Sequence, residues 1–309
     1  MGLLKIPPFQ DAHMHFMRDG KGAAADELPE IMSAYAAHGI FSICDMGHKS
    51  GIGLQARETS RGALLIKSAG SAFYRKGTYG AFLGKGISGE EEIREAVRCI
   101  AGAGADFIKV INSGIVSTQG ECPVTEGGFS LEELGTFSRE AREKNMDFIC
   151  HANADVAIRG AVEAGASSIE HGYFISRNTL RRMAELGTRW TPTLSALLRV
   201  SAKASFPERQ YIKGLVEKHL LSVKYAFSIG VRVSVGTDSG STGIRHGESF
   251  IDELQVLYSA GLPLDAILAA ACMDRSEIDK GNFLIVEEDF ILSGKIEAVF
   301  KDGVQIGQQ

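Results

Sequence analysis

Short apolar segments rich in β-branched residues alternate along the chain with longer segments whose apolar residues recur at helical spacing. Eight of the short segments have the length of a buried strand. They lie at residues 9–15, 39–47, 63–70, 106–114, 147–152, 167–172, 188–194 and 231–238. Several longer segments, such as "SLEELGTFSREAREKN", carry acidic residues early, and others end at glycine. The alternation predicts repeated strand–helix units and a parallel sheet.

Eight strand–helix units within 309 residues predict an α/β protein with a (β/α)8 barrel of the TIM type. A doubly wound open sheet is the alternative, and it is disfavoured because no G-x-G-x-x-G motif follows the first strand. We assign residues 1–280 to the barrel. Residues 281–309 predict two short strands around "LSGK" and a "DG" turn, and therefore a small C-terminal β appendage.

The composition excludes several classes of protein. A hydrophobic share of 44% with 23% charged residues is typical of a soluble globular enzyme, and a formal net charge of −5 without a basic stripe argues against nucleic acid as a partner. No apolar run approaches the ~18 residues of a membrane span. Since the first residues also lack the pattern of a signal peptide, we expect a cytoplasmic protein with no membrane partner. The five cysteines form no C-x-x-C pair, as expected of reduced thiols.

Three polar residues share one face of the first predicted strand. Asp11, His13 and His15 occupy alternate positions in "QDAHMHF", and alternate side chains of a strand point the same way. A surface strand with scattered polar residues is the ordinary explanation. Imidazoles and a carboxylate at this spacing are also natural metal ligands.

Ligand-type residues also stand near the ends of four other predicted strands. Lys109, His151, His171 and Asp238 follow this pattern. Each has an ordinary explanation when taken alone: a lysine that reaches solvent, a core histidine, or an aspartate that caps a turn. In a barrel, however, the carboxyl ends of the strands meet at one face. The residues of all five strands together therefore predict a polar site on that face.

These motifs resemble the amidohydrolase superfamily. Its metal signature is D-x-H-x-H on strand 1, Lys on strand 4, His on strands 5 and 6, and Asp on strand 8, and each element has a match in this chain. The segments "GADFIKVINSG", "SSIEHG", "TPTL" and "GTDSG" are more narrowly similar to the branch that contains prolidases (Xaa-Pro dipeptidases) and imidazolonepropionase. The resemblance extends from about residue 7 to residue 305.

The resemblance implies two divalent metal ions, with zinc favoured and manganese, iron or cobalt as alternatives. His13, His15 and Asp238 would bind one ion, and His151 and His171 the other. The remaining ligand would be Lys109, as a carbamate formed with carbon dioxide.

The resemblance also implies roles in catalysis. A hydroxide that bridges the metal ions would attack the scissile carbonyl, and Asp238 would carry the proton to the leaving nitrogen. Lys109 would act through its bridging carbamate. Asp11 would support the two histidines of strand 1 without binding metal.

Residues for substrate binding are predicted from the loops at the same face. Asn153 stands in "HANA" where many relatives have His-Ala-His-Gly, and Tyr173 and His246 lie in the loops after strands 6 and 8. Tyr79 and Arg75, in the long loop after strand 3, are candidates to hold a substrate carboxylate.

The predicted function is hydrolysis of an amide or peptide C–N bond in a dipeptide or an N-acyl amino acid. A hydrolase that opens a cyclic amide, an imidazolone or a lactone is one alternative, and a non-catalytic metal-binding barrel is another. Relatives usually carry more β structure before D-x-H-x-H, so we expect a vestigial β-sandwich at residues 281–309. The partner expected is a small-molecule substrate, and a homo-oligomer stays open.

Overall fold

The structure, a computed structural model, describes residues 2–118 and 123–306. Its strands are β1 Leu3–Ile6, β2 Phe9–Met14, β3 Met17–Arg18, β4 Lys21–Gly22, β5 Ile40–Asp45, β6 Leu65–Ser68, β7 Ala72–Arg75, β8 Gly84–Ile87, β9 Phe107–Ile111, β10 Asp147–Ala152, β11 Ser168–His171, β12 Arg189–Thr191, β13 Phe283–Glu287, β14 Ile296–Lys301 and β15 Val304–Ile306. Its α-helices are α1 Leu28–Ala37, α2 Ile52–Ser60, α3 Glu90–Gly102, α4 Leu131–Glu143, α5 Asp155–Glu163, α6 Arg177–Leu186, α7 Leu194–Lys203, α8 Phe206–Ser228, α9 Glu248–Ser259, α10 Leu264–Ala271 and α11 Phe290–Ser293.

The central strands form two parallel sheets that the chain joins. One sheet has the order β2-β5-β6 and the other the order β12-β11-β10-β9-β7-β8. The third predicted strand, residues 63–70, contains β6, and after residues 69–71 the chain enters β7 of the other sheet, where the sequence predicted a loop. At this junction the N–H of Asp106 donates to the carbonyl of Ser68 at 2.9 Å. The result is a TIM-barrel-like α/β fold, as the alternation of the sequence predicts.

The eighth predicted segment, residues 231–238, is not a regular strand. It nevertheless hydrogen-bonds to strands on both sides. The N–H of Ser234 donates to the carbonyl of Trp190 in β12 at 2.9 Å, and the N–H of Ala12 in β2 donates to the carbonyl of Val235 at 2.9 Å. The segment therefore lies between β12 and β2, at the position expected for an eighth strand.

Close approach and a left-handed residue explain why the segment departs from strand geometry. A Cβ on Gly236 would lie 2.4 Å from Cγ2 of Thr191 and 2.7 Å from Cβ of His13, so only glycine fits between the neighbouring strands. Two residues later Asp238 has a φ of 59°, which bends the chain out of extended conformation. The bend turns the end of the segment toward the carboxyl face.

The helices pack on the outside of the parallel strands. In α3, Ile93, Ala96 and Val97 are buried at spacings of three and four residues, while acidic residues occupy the first turn. Burying a side chain such as Ile93 contributes roughly 1.5–3 kcal/mol to folding. The strands beneath the helices are buried on both faces, as in all five residues of β9, which is the usual environment of a parallel sheet.

A small antiparallel sheet accompanies the barrel-like body, with the order β1-β13-β14-β15. The two strands predicted around "LSGK" are β13 and β14, and between them Phe290–Ser293 form a helical turn that ends at Gly294, with φ 72°. Residues 3–6 supply a further strand that pairs with β13. The domain division at residue 280 stays a prediction.

The helices α7 and α8 form a helical hairpin between Thr191 and residue 231. Glu208 in the first turn of α8 accepts a hydrogen bond from Oγ1 of Thr118 at 2.9 Å, which ties the hairpin to the loop after β9. Although α8 is 23 residues long, no helix in the described ranges is both long and apolar enough to cross a membrane. Four cysteines are free thiols, and Cys122 lies outside the described residues.

Candidate active site

The residues predicted as metal ligands meet in one cavity at the carboxyl ends of the parallel strands. The cavity has a volume of about 310 Å³. All six predicted ligands line it: His13, His15, Lys109, His151, His171 and Asp238. The imidazole rings are close neighbours, with ring centroids 4.8 Å apart for His13 and His171 and 4.7 Å apart for His151 and His171. The structure therefore brings together residues from five separate segments of the chain.

His13, His15 and Asp238 have the tightest arrangement of potential ligand atoms, all of which lie within 4.8 Å of one another. Oδ1 of Asp238 lies 3.4 Å from Nε2 of each of the two histidines. Burial opposes ionisation of Asp238, but its contacts with His13 and His15 hold the pKa of the carboxyl well below its ordinary value. This trio could hold a divalent cation between its ligand atoms.

Three of the four imidazoles are oriented through Nδ1. The partners are Oε2 of Glu170 for His13 at 2.5 Å, the carbonyl of Gly47 for His15 at 2.8 Å, and Oγ1 of Thr193 for His171 at 2.7 Å. When Nδ1 donates a hydrogen bond, the lone pair of the neutral ring is on Nε2. A carboxylate and a carbonyl only accept, so His13 and His15 are prepared to bind a metal through Nε2, and the hydroxyl of Thr193 fixes the ring of His171.

His151 is oriented in the opposite way. Its Nε2 lies 3.2 Å from the carbonyl of Gly114, which accepts the ring hydrogen and leaves the lone pair on Nδ1. Burial, with the nearby charge of Lys109 as a smaller cause, lowers the pKa of His151 to about 3. The ring is therefore neutral at physiological pH, which is the form that binds metal.

Lys109 is the most unusual member of the cluster, because its side chain is 2% exposed and its Nζ has no hydrogen-bond partner among the described residues. Burial is the main cause that lowers the pKa of Lys109. A neutral amine is a nucleophile, and carbon dioxide would turn it into a carbamate with two oxygen ligands. A buried, unpartnered amine beside four imidazoles and a carboxylate thus fits a site for two divalent ions.

Three residues that line or support the cluster have a left-handed backbone. These are His171, Thr193 and Asp238, with φ values of 66°, 47° and 59°. Such a conformation costs a residue other than glycine roughly 1–3 kcal/mol, and it persists where the surrounding structure enforces it. Backbone strain of this kind is common at functional sites.

Asp11 supports the site through the backbone. It accepts hydrogen bonds from the N–H of His13 at 3.1 Å and from the N–H and Oγ1 of Thr237 at 3.1 and 2.6 Å. It thereby fastens β2 to the segment that carries Asp238. Burial raises the pKa of Asp11 to about 6. The carboxylate that orients an imidazole through Nδ1 is that of Glu170, which the sequence reasoning missed; the available signal was an acidic residue inside the buried strand "SSIEHG".

The predicted substrate-binding residues divide into two groups. Tyr79, Asn153 and Tyr173 line the cavity. Arg75 and His246 are not among its lining residues, because each has a partner elsewhere. Arg75 is exposed and lies 3.4 Å from the carbonyl of residue 128, whereas His246 is held by the carbonyl of residue 17 at 2.8 Å and the hydroxyl of residue 35 at 3.1 Å.

The outer part of the cavity is apolar. Its aliphatic and phenylalanine side chains come from the region of β7 to β9, the loop after β9, the α7–α8 hairpin and the loop after residue 238. They are Phe82, Leu83, Ile111, Ile115, Val116, Ala196, Leu197, Ile212 and Ile244. A polar floor beneath apolar walls is the usual design of a small-molecule site.

The family comparison agrees with this geometry. The amidohydrolase family model matches residues 4–278, and the chain belongs to the amidohydrolase family. The resemblance drawn from the D-x-H-x-H, Lys, His and Asp motifs is thereby confirmed.

Individual proteins of known sequence are only distantly similar to this chain. Ochratoxinase from Aspergillus niger is 28% identical over 315 aligned residues, which cover 86% of this chain and 63% of that protein. This chain thus spans less than two thirds of the length of that relative.

Solved structures establish the fold. A Xaa-Pro dipeptidase with bound methionine in its active site has a TM-score of 0.79 at 21% identity, with 98% of this chain and 87% of that chain covered. The crystal structure of A. niger ochratoxinase has a TM-score of 0.77 at 22% identity, with 97% and 82% covered.

Proposed function

We propose that this chain is a metal-dependent hydrolase that cleaves an amide C–N bond. The observation that carries the proposal is the convergence of four histidines, Asp238 and the unpartnered Nζ of Lys109 on one cavity at the carboxyl ends of the strands. The family comparison and the TIM-barrel-like α/β fold support the same assignment.

The donor set divides between two ions. His13, His15 and Asp238 would hold the first ion, with the histidines binding through Nε2. His151, through Nδ1, and His171, through Nε2, would hold the second. The mixture of imidazole and carboxylate ligands favours zinc, with manganese, iron or cobalt as alternatives.

Lys109 would join the two sets as a carbamate formed with carbon dioxide. Bound divalent ions would lower the pKa of a water and polarise the scissile carbonyl. The buried position of Lys109 keeps its amine away from solvent protons and available for carbamate formation. The carbamate would carry the negative charge that the free amine lacks.

Asp238 would move the proton. Its Oδ1 faces both histidines of β2, and its side chain lines the cavity where the scissile bond would lie. It would accept a proton from the attacking water and donate it to the leaving nitrogen, first as base and then as acid. Glu170, the carbonyl of Gly47 and Thr193 would keep the imidazoles fixed during this transfer.

The test is a hydrolysis screen over dipeptides, N-acyl amino acids, cyclic amides and lactones, with metal analysis of the same sample. We expect about two metal ions per chain and hydrolysis of at least one amide. Asp238→Asn should reduce kcat by roughly 10²–10⁴-fold, the contribution of general acid–base catalysis. Asp147 is an exposed aspartate on β10, and Asp147→Asn is the matched control, which should leave kcat unchanged.

Other outcomes of the screen would contradict specific parts of the proposal. Two metals without any hydrolysis would indicate a non-catalytic metal-binding barrel. Ring opening alone would replace linear amides by cyclic amides or lactones as the substrate class. About one metal per fully loaded chain would exclude the two-metal centre, and an unaffected Asp238→Asn variant would exclude the assigned proton transfer.

A further inference from the structure

The walls of the cavity bear on the substrate class, because their described residues offer a carboxylate no lysine or arginine apart from Lys109. Among the described residues that line the cavity, Lys109 is the only lysine or arginine, and it belongs to the proposed metal centre. Tyr79, Thr118, Ser241 and Thr242 contribute hydroxyls. Hydroxyls bind neutral carbonyls well, but a carboxylate that leaves water for an apolar cavity needs a paired cation.

Two cations that follow the third predicted strand, Arg75 and Lys76, have partners outside the cavity. Arg75 is exposed and its guanidinium contacts the carbonyl of Gly128 at 3.4 Å. Lys76 is exposed and forms an ion pair with Glu92 at 2.6 Å. Neither lines the cavity. The role first predicted for Arg75, to hold a substrate carboxylate, therefore has no support from its position.

Asn153 adds a positive requirement. It is 1% exposed, it lines the cavity, and its Oδ1 has no hydrogen-bond partner among the described residues. Nδ2 donates to the carbonyl of Gly114 at 3.0 Å, where Oδ1 would place two acceptors together, and it also lies 3.3 Å from Nε2 of His151. The free oxygen needs a donor, which the N–H of a secondary amide can supply.

Resting on the amide hydrolase function proposed above, we infer that the substrate is an uncharged secondary amide. Its apolar group fills the space between the α7–α8 hairpin and the loop after β9, against residues such as Ile115, Leu197 and Ile212. An N–H of the substrate donates to Oδ1 of Asn153. A free carboxylate beside the scissile bond is disfavoured, which excludes ordinary dipeptides and N-acyl amino acids as preferred substrates.

Two compounds that differ only by a carboxylate test the charge preference. N-acetylphenethylamine and N-acetyl-L-phenylalanine share the phenyl group and the secondary amide. We expect kcat/KM for the neutral compound to be at least ~10-fold higher, since an unpaired buried charge is strongly disfavoured. Isothermal titration of the same pair into metal-free protein reports binding without chemistry, and the neutral compound should bind tighter there as well.

A variant at the rim can reverse this preference. Ile115 lines the cavity and is 44% exposed, so an arginine there can keep contact with water. Ile115→Arg should shift the ratio of kcat/KM toward the acid by ~10-fold or more, whereas the neutral control Ile115→Gln should leave the ratio unchanged. A shift of equal size in both variants would show that polarity alone, and not the missing cation, sets the preference, and would overturn the inference.

A third compound tests Asn153. N-acetyl-N-methylphenethylamine lacks the amide N–H, so the wild-type protein should bind it ~10-fold more weakly than N-acetylphenethylamine. In Asn153→Ala this difference should disappear. An equal difference in both proteins would remove Asn153 from substrate recognition.

The outcomes distinguish this inference from the proposed function. Efficient hydrolysis of the acid, at or above the rate of the neutral amide, would overturn the inference while amide hydrolysis stands. Tighter binding of the neutral compound without cleavage of any amide would support the inference and overturn the proposed function. Tighter binding of the acid to metal-free protein would contradict the inference whatever the activity.

Discussion

The two ends of the parallel strands differ in how their polar groups are satisfied. At the amino end, exposed ion pairs connect the elements, such as Arg57 with Asp106 at 2.6 Å and Arg189 with Asp147 at 3.1 Å. At the carboxyl end, imidazoles and carboxylates are buried against one another, and Nζ of Lys109 has no partner among the described residues. The left-handed backbone of His171, Thr193 and Asp238 is also at this end.

The difference shows where the protein is organised for stability and where for chemistry. Residues in unfavourable conformations, or buried without partners, lower stability and persist when a function requires them. Ordinary surface ion pairs neither lower stability in this way nor need a function to explain their presence. Variants at the carboxyl end should therefore change activity strongly, whereas variants at the amino end should leave it unchanged.

The largest effect is expected for Lys109→Met. Loss of the amine should reduce activity by at least ~10³-fold and leave about one metal per chain, since the ligand between the two sets is removed. The same change should stabilise the metal-free protein by about 1–3 kcal/mol, because a buried donor without a partner is replaced by an apolar side chain of similar length. Activity assays, metal analysis and urea unfolding measure the three quantities.

Lys67→Met is the control for this variant, because Lys67 is an exposed lysine on β6 of the other parallel sheet. It should leave activity and metal content unchanged. If Lys109→Met instead destabilised the metal-free protein, the buried amine would not lower stability, and the distinction between the two strand ends would be wrong for Lys109.

A second, smaller effect is expected for Glu170→Gln. The carboxylate of Glu170 orients the ring of His13 and increases its basicity as a ligand. Its loss should weaken metal affinity or activity by roughly 10–100-fold. Competition with a chelator measures the affinity. Glu163→Gln, on the exposed side of α5, should match the wild-type protein; equal losses in both variants would mean that Glu170 has no specific part in the site.

A third prediction concerns the hydroxyl of Thr193, which contacts Nδ1 of His171 at 2.7 Å and the hydroxyl of Tyr173 at 3.0 Å. Thr193→Val should reduce kcat by roughly 3–10-fold, the value of one neutral hydrogen bond. Thr193→Ser keeps the hydroxyl and should retain most of the activity. Steady-state kinetics on both variants decide the matter, and a serine variant as impaired as the valine variant would argue for packing instead of hydrogen bonding.

The smallest effect is expected at the amino end. Arg189→Gln removes the ion pair with Asp147 and should change the free energy of unfolding by less than about 1 kcal/mol, because both side chains are exposed. Activity should stay at the wild-type level. A loss of activity without a loss of stability would show that the two ends are coupled.

Much of this arrangement could be predicted from the sequence, because it depends on local periodicity. The alternate positions of Asp11, His13 and His15 define a common face, and a parallel sheet brings strand ends such as His151 and His171 to one side. The convergence of these residues on one face can be predicted without knowing the conformation of the loops. The roles of the ligands stay predictions, although their common location is now established.

Other features depend on contacts between distant segments and leave little trace in the sequence. Glu170 contacts His13 across 157 positions of the chain. The loss of strand geometry before Asp238 follows from packing against two neighbouring strands. Arg75 ends β7 and was predicted to lie in a loop, whereas His246 lies in a loop. Tertiary contacts decide the position of each, so their nearness to the motifs along the chain was a poor guide to their place in space.

The α7–α8 hairpin is one uninterrupted stretch of the chain, and it supplies part of the cavity wall without supplying any of the six predicted metal ligands. Glu253 of α9 anchors its start by accepting hydrogen bonds from the N–H groups of Leu194 and Ser195 at 2.8 and 2.6 Å. Reactivity and selectivity are therefore encoded in separable parts of the gene. A single graft of residues 194–228 would leave the six predicted ligands in place and give a protein engineer a way to change the selectivity alone.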